Sequence, residues 1–236
     1  MIRTLFALLG LFALAAPTVA AERRYPVTDF DRIVVEGPYV VRVVTGRTTT
    51  ASANGSQDAL DRVSIDVSGT TLRIRRNNQW VGTPGAQQGV ITIALATRNL
   101  RSVRLVGPAN FEVDGVRGQR VDLTVEGSGR LRAGNIAADT LHLGLRGAGR
   151  LELTGRAGIL RADIQGTGEL AAAGLTADNA TLITTTMGNI SLAARTSASV
   201  TANGLGEIVI TGRPACTIRG QGAGQVRCGA AAARSN

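Results

Sequence analysis

The amino-acid sequence predicts an all-β protein built as a β-solenoid, a stack of short coils like that of a parallel β-helix. From residue 103 onward one pattern returns every 18 to 20 residues, and internal periodicity of this kind is typical of repeat architectures. Each copy contains two stretches in which apolar and polar residues alternate, as they do in strands with one buried face. The two stretches meet at a Gly-x-Gly corner, where the chain is expected to turn into the next coil.

The regular part is predicted to form about seven coils. Clear copies are VDLTVEGSGRLRAG (121–134), LHLGLRGAGRLELTG (141–155) and LRADIQGTGELAAAG (160–174). An opening copy covers 103–115, and a final copy, CTIRGQGAGQVRCG, covers 216–229. A single copy cannot bury its apolar face alone, so the copies must stack on one another. We expect a right-handed solenoid, because parallel crossover connections generally have that hand.

Alignment of the copies on the corner places their apolar residues in columns that would fill a shared interior. One column contains Val121, Leu141, Leu160, Ala180, Ala198 and Cys216. Another contains Leu131, Leu151, Leu170, Ile190, Ile208 and Val226. The same register would bring opposite charges together in neighbouring coils, namely Glu126 with Arg146, Arg132 with Glu152, and Arg150 with Glu169.

The corner glycines are predicted to be structural. A sharp turn in every coil favours residues that tolerate positive φ or a close approach of backbone. No helix pattern follows the glycines, so they do not match a dinucleotide-binding fingerprint. The predicted corner glycines are Gly127, Gly129, Gly147, Gly149, Gly166, Gly168, Gly188, Gly204, Gly206, Gly222 and Gly224.

Residues 21–102 form a less regular β part. The segment FDRIVVEGPYVVRVVTG (30–46) aligns with the opening copy at their shared Gly-Pro step. Residues 57–62 are compatible with one helical turn capped by Ser56, and the Gly/Pro/Gln-rich stretch 77–89 is predicted to be a loop. The sequence leaves open whether this part forms the first coils of the solenoid or a cap on its end.

The two termini are predicted to lie outside the fold. Residues 1–20 have a positive start, an apolar run and a small residue at Ala20, as in an export signal cleaved there. The apolar run is shorter than the about 20 residues that cross a bilayer. Residues 230–236 are predicted to be a disordered tail. We therefore expect an exported protein of the periplasm, of the outer face of a bacterial envelope, or of the medium.

Cys216 and Cys228 are predicted to form a disulfide. They are the two cysteines of the chain, they lie six residues either side of Gly222, and oxidising compartments favour such bonds in exported proteins. The competing interpretation is a pair of buried free thiols.

The charge of the chain comes from arginine, since all 26 basic residues are arginines. Removal of residues 1–20 takes away Arg3 and leaves 25 arginines against 17 acidic residues, a net charge of +8. Nucleic-acid binders usually concentrate basic residues among stacking aromatic residues, whereas aromatic residues make up 3% of this chain. Nucleic acid is therefore disfavoured as a partner, and two interpretations stay open: attraction to an anionic envelope polymer or lipid headgroup, and a basic surface that is merely solvated.

A search for chemistry identifies no catalytic, cofactor-binding or metal-binding residues. His142, the only histidine, is expected to face outward between Asp122 and Arg161 of the neighbouring coils. The acidic residues are spread singly, and the corners lack the aspartate of calcium-binding nonapeptide repeats. The alternative function is a lyase-type or hydrolase-type β-helix enzyme acting on polysaccharide, which would need converging carboxylates.

Together, the glycine-cornered repeats, the Met187-Gly188-Asn189-Ile190 variant and the leading segment 30–46 resemble one family of exported bacterial proteins, described as "putative auto-transporter adhesin, head GIN domain". The resemblance covers residues 30–229 and implies a β-helix-like repeat domain at the cell envelope or outside it. The family name suggests adhesion and implies no catalytic residue.

The function predicted from the sequence is a non-catalytic envelope scaffold or binding protein of adhesion type. Its partner would be an envelope polysaccharide, an anionic envelope polymer or another envelope protein. Two surfaces are candidates for binding: the residues after the corners and one arginine-rich strand. Their members are Arg130, Arg150, Glu169, Asn189 and Glu207, and Arg73, Arg75 and Arg76.

Overall fold

The computed structural model describes residues 21–77, 89–222 and 225–230. The predicted export signal (1–20), positions 78–88 of the predicted loop, Gly224, and residues 231–236 of the predicted tail lie outside these residues. The described elements are β1 (Ala21–Tyr25), β2 (Arg32–Glu36), β3 (Val40–Thr45), β4 (Thr50–Gly55), α1 (Gln57–Asp61), β5 (Val63–Ser68), β6 (Thr71–Arg76), β7 (Thr92–Thr97), β8 (Ser102–Val106), β9 (Asn110–Asp114), β10 (Arg117–Gly127), β11 (Arg130–Gly147), β12 (Arg150–Gly166), β13 (Glu169–Thr186), β14 (Ile190–Ala202), β15 (Ile208–Gly212), β16 (Ala215–Arg219) and β17 (Val226–Ala230).

The strands wind into a β-solenoid of about six turns, which confirms the predicted fold class with slightly fewer coils than the seven expected. Strand β12 shows the course of one coil. Its residues 150–153 form one flat side, which we call wall B; residues 155–157 form a short bend; and residues 159–166 form the opposite side, wall A. A glycine corner then leads into wall B of the next coil. We use the same three names for the equivalent segments of every coil.

The core consists of the predicted apolar columns. In wall B, Leu131, Leu151, Leu170 and Ile190 are partners in register across four successive coils, and each is at most 1% exposed. In wall A, the column that begins with Val121 is equally aligned. Alternation at period two directs these side chains inward and the polar residues between them outward.

The corners explain why glycine recurs at two positions. At Gly127, Gly147 and Gly166 the first glycine has a positive φ, for example 107° at Gly147, a conformation that side chains disfavour. The second glycine packs against the preceding coil. A Cβ added to Gly149 would lie 2.6 Å from Val125 Cγ1 and 2.7 Å from the carbonyl oxygen of Gly129.

Thr186 occupies the first corner position in β13, where the other copies have glycine. Its hydroxyl donates a hydrogen bond to the carbonyl oxygen of Gly166 (3.1 Å) and accepts one from the amide of Gly188 (2.9 Å). The side chain is buried, so these two bonds satisfy a hydroxyl that would otherwise be costly to bury. Threonine thus replaces glycine by holding the turn together through its side chain.

The N-terminal region supplies both coils and a cap. Strands β2 and β3 pair in parallel with β8 and β9, and the amide of Gly37 donates to the carbonyl of Val106 (3.1 Å), so the two Gly-Pro corners stack on each other. Strands β6 and β7 pair with the other edges of β2 and β3 and form the outermost coil.

Antiparallel strands cover the N-terminal end of the solenoid. Strand β5 pairs with β6, while β4 pairs with β7 and β1 pairs with β4. The short helix α1 lies between β4 and β5, and the Ser56 side chain caps it by accepting from the amide of Ala59 (3.3 Å). The predicted helical turn is therefore confirmed at this place.

A disulfide between Cys216 and Cys228 joins the two walls at the other end of the solenoid, as predicted. Cys216 lies on β16 in register with Ala198 of wall A, and Cys228 lies on β17 in register with Ile210 of wall B. Their Cα atoms are 6.5 Å apart. Cys216 is exposed because this last coil has a neighbouring coil on one side only.

Replacing both cysteines by serine is expected to lower the free energy of unfolding by about 3 kcal/mol, because the ring, with a sequence separation of 12, restricts the conformational entropy of the unfolded chain. Urea denaturation of the wild type and of the double variant would measure the difference. Reductant should affect the wild type alone. An oxidised protein whose mass does not rise by two hydrogens on reduction would contradict the bond.

Candidate functional site

The predicted row of residues after the corners follows wall B along the solenoid. Arg130 is in register with Arg150, and Arg150 with Glu169. Asn189 and Glu207 take the next places, since their carbonyl groups accept from the amides of Leu170 and Ile190. The structure therefore brings all five predicted residues to one edge of one face.

The arginines of this row are occupied by carboxylates of their own face. Glu152 lies 3.4 Å from Nε of Arg132, 3.8 Å from Nε of Arg130 and 3.7 Å from a terminal nitrogen of Arg150. Arg150 also pairs with Glu169. Such exposed pairs contribute roughly 0–1 kcal/mol each, so their main effect is to fix the register of the coils and to neutralise the row.

The three arginines of the second predicted surface lie on β6, at the capped end. Arg75 faces Asp66 of β5, with a nitrogen–oxygen distance of 3.5 Å. Arg76 lines a cavity of about 460 Å³ next to Tyr39. Burial raises the pKa of the Tyr39 hydroxyl, and the charge of Arg76 partly offsets that rise. Arg73 is paired in register with Val34 and with Asp66 and points outward.

His142 lies on wall A in the predicted place, in register with Asp122 on one side and with Arg161 on the other. Burial lowers the pKa of the imidazole below 6.5, Arg120 lowers it further, Asp122 raises it and Arg161 lowers it. The neutral ring is thus favoured in the folded protein.

The pKa of His142 should therefore lie below 6.5 in a proton NMR titration, in which this single histidine gives an unambiguous signal. Arg161→Gln should raise the pKa and Asp122→Asn should lower it further, because they remove opposing charges. Because the pKa of His142 is lower in the folded protein, the unfolded chain binds more protons than the folded protein below pH 6.5. The contribution of neutral His142 to stability is therefore complete above pH 6.5 and is lost as the pH falls through the folded pKa. A folded pKa equal to that in urea would contradict this prediction.

Two arginines that sequence reasoning did not single out, Arg117 and Arg156, lie in the bend. Both face outward, in register with Ala137 between them. Alignment on the glycine corners misses them because the register shifts just before the bend, between Ala133 and Ile136. No signal in the sequence marks these two positions, because burial of the neighbouring Val116 is seen only in the structure.

Within the described ranges, no group of three or more His, Cys, Asp or Glu side chains is placed to hold a metal ion. In the same residues, no helix has both the length and the apolar character that crossing a membrane requires.

The fold and its charged exterior define a β-solenoid repeat protein with extended outer faces. The chain belongs to the family described as "Putative auto-transporter adhesin, head GIN domain", whose model matches residues 29–214. The resemblance seen in the sequence is thereby confirmed. Family membership is consistent with an exported or surface protein that binds or adheres.

Solved structures share the fold. A "putative adhesin" from Bacteroides fragilis NCTC 9343 superimposes with a TM-score of 0.76 at 18% identity, covering 86% of this chain and 94% of that one. A "putative lipid binding protein" from Parabacteroides distasonis ATCC 8503 gives 0.71 at 21% identity, covering 88% and 95%. A second Parabacteroides distasonis structure, named "putative adhesin", gives 0.64 at 19% identity, covering 87% and 96%. No curated protein matches the chain.

Proposed function

We propose that this chain is an exported, non-catalytic binding protein of the bacterial cell envelope, of adhesion type, which engages its partner through the outer faces of the solenoid. The observation that carries the proposal is the rigid exterior. The core columns fix the register of every coil, and this register holds the outward side chains in straight rows. Repeat solenoids commonly bind through such extended surfaces.

The acidic side chains of these faces support binding over catalysis. Glu126 lies 2.9 Å from Arg104 and 3.8 Å from Arg146, just as Glu152 is shared among arginines on wall B. A catalytic carboxylate pair would instead face a bound substrate with its proton-transfer atoms free. The names of the family and of the structural neighbours point the same way.

Two surfaces remain candidates for contact with the partner. One is the row of Arg130, Arg150, Glu169, Asn189 and Glu207 on wall B. The other contains Arg73, Arg75 and Arg76 on β6. The first has two arginines at one end and two glutamates towards the other, and it suits a partner with polar groups of both signs, while the second has more positive than negative side chains.

Capture from a bacterial envelope fraction by the immobilised chain without residues 1–20 tests the proposal. We expect a defined partner that stays bound at moderate salt and that soluble chain displaces. Loss of every partner at moderate salt would indicate only weak charge attraction and would contradict the proposal. Release of unsaturated sugars from an acidic polysaccharide would favour the polysaccharide-active enzyme instead.

A further inference from the structure

The bend carries two adjoining depressions, of about 730 Å³ and about 500 Å³. Both are lined by Ala137 and Arg156, so they form one continuous feature, which we call the bend trough. Arg117 lines its first half and Arg195 its second half. Since these residues come from successive coils, the trough runs along the axis of the solenoid.

Arg117 and Arg156 form the centre of positive charge in the trough. They flank Ala137 in the ladder of the bend, so two strand spacings, about 9.6 Å, separate their backbones. Both residues are exposed, and neither has a carboxylate partner among the residues that the structure describes. An anion bound between them would relieve their mutual repulsion and gain two charge-assisted hydrogen bonds.

The arginines of wall B differ in this respect. Arg42 and Arg132 both approach Glu112, at 3.9 and 4.0 Å, and Arg130 and Arg150 share Glu152. A ligand carboxylate would have to displace these partners. The bend trough is therefore a better binding surface for an anion than the row of residues after the corners, which the sequence predicted.

Carboxylates along the trough restrict which anion fits. Asp139 and Asp178 line its second half, and Asp178 pairs with Arg195 at 3.3 Å. Asp114 lines the first half and accepts a hydrogen bond from Asn135 at 2.7 Å. Duplex DNA carries one charge per about 1.7 Å, so its phosphates would meet these carboxylates. A polymer with spaced carboxylates and many hydroxyl groups would instead use the aspartates as hydrogen-bond acceptors.

The floor of the trough suits close approach by such a polymer. It contains Ala137, whose side chain is a single methyl group, and Gly155 and Gly158, which have none. Asp139 and Asp178 would repel the closely spaced phosphates of an anionic membrane, which disfavours lipid headgroups.

From these contacts we infer that the bend trough binds an acidic polysaccharide. The guanidinium groups of Arg117 and Arg156 each hold one carboxylate of the polymer. This inference rests on the proposed binding function and names the class of partner. The aspartates of the trough accept sugar hydroxyl groups. The polymer lies along the solenoid axis, across the coils.

Isothermal titration of the chain without residues 1–20 with polygalacturonate tests this assignment. The double variant Arg117→Gln/Arg156→Gln should bind at least tenfold more weakly than the wild type. The matched control, Arg104→Gln/Arg146→Gln, removes the same charge from wall A, outside both candidate surfaces, and should bind within twofold of the wild type. Thermal melts of both variants should show that each is folded, because all four side chains are exposed.

Three outcomes would overturn the assignment: no binding of polygalacturonate by the wild type, equal weakening by both double variants, or tighter binding of duplex DNA or of phosphatidylglycerol vesicles at the same salt concentration. Envelope capture with the Arg117→Gln/Arg156→Gln variant separates this result from the broader proposal. If that variant still captures a salt-resistant partner, the binding function stands although the trough is not its site.

Discussion

Replacement of Leu151 by alanine is expected to lower the free energy of unfolding by about 4 kcal/mol, the largest effect of any single substitution considered for this protein. Leu151 is fully buried in wall B between Leu131 and Leu170 of the neighbouring coils. The β-strands on both sides hold the backbone in place, so the walls cannot close around the space that the missing side chain leaves. Urea denaturation followed by circular dichroism measures the loss.

Leu205→Ala is the matched control, since it makes the same chemical change at a side chain that is 78% exposed. This variant should differ from the wild type by less than about 0.5 kcal/mol. If both leucine variants lost the same stability, Leu151 would not lie in a stacked interior, and the solenoid core described above would be wrong.

Gly149→Ala is expected to lower the free energy of unfolding by about 3 kcal/mol, although it adds a single methyl group. That methyl group would lie 2.7 Å from the carbonyl oxygen of Gly129 and 2.6 Å from a methyl group of Val125. The oxygen belongs to the backbone of the preceding coil and accepts from the amide of Arg150 (2.9 Å). Relief of the clash therefore requires the two coils to separate at the corner.

Gly118→Ala is the control for this prediction. Gly118 also lies in a strand, but its added Cβ would meet nothing closer than 3.5 Å, so its melting temperature should stay near that of the wild type. A Gly149→Ala protein that melts with the Gly118→Ala protein would show that the corners tolerate side chains and that their glycines have another role.

The regular coils could be predicted because their signals are local. Period-two alternation within each copy identifies which side chains face inward, and the repeat length identifies which of them stack, as in the column of Leu131, Leu151 and Leu170. The ion pairs of Arg132 with Glu152 and of Arg150 with Glu169 follow from the same register. The disulfide also follows, because Cys216 and Cys228 occupy equivalent columns of the last coil.

The candidate site was less predictable, because charge balance on a surface depends on neighbours from other coils. The sequence identifies Arg130 and Arg150 as outward, but only the structure shows that Glu152 reaches both of them. The sequence also does not show that Arg117 and Arg156 lack carboxylate partners within the part of the chain that the structure describes, because the bend is out of register with the corners on which the copies align.

By itself, the sequence determined that the chain is a glycine-cornered solenoid with aliphatic columns inside, since the side-chain alternation and the repeat are written into every copy. Only the tertiary structure decided the order of the coils at the N-terminal end, where β2 and β3 lie between the later strands β6 and β7 on one side and β8 and β9 on the other. The physical reason is that strand pairing depends on which edges are free once the chain has folded back. Residues 46–101, which contain β6 and β7 and separate β3 from β8, carry no local signal of that choice.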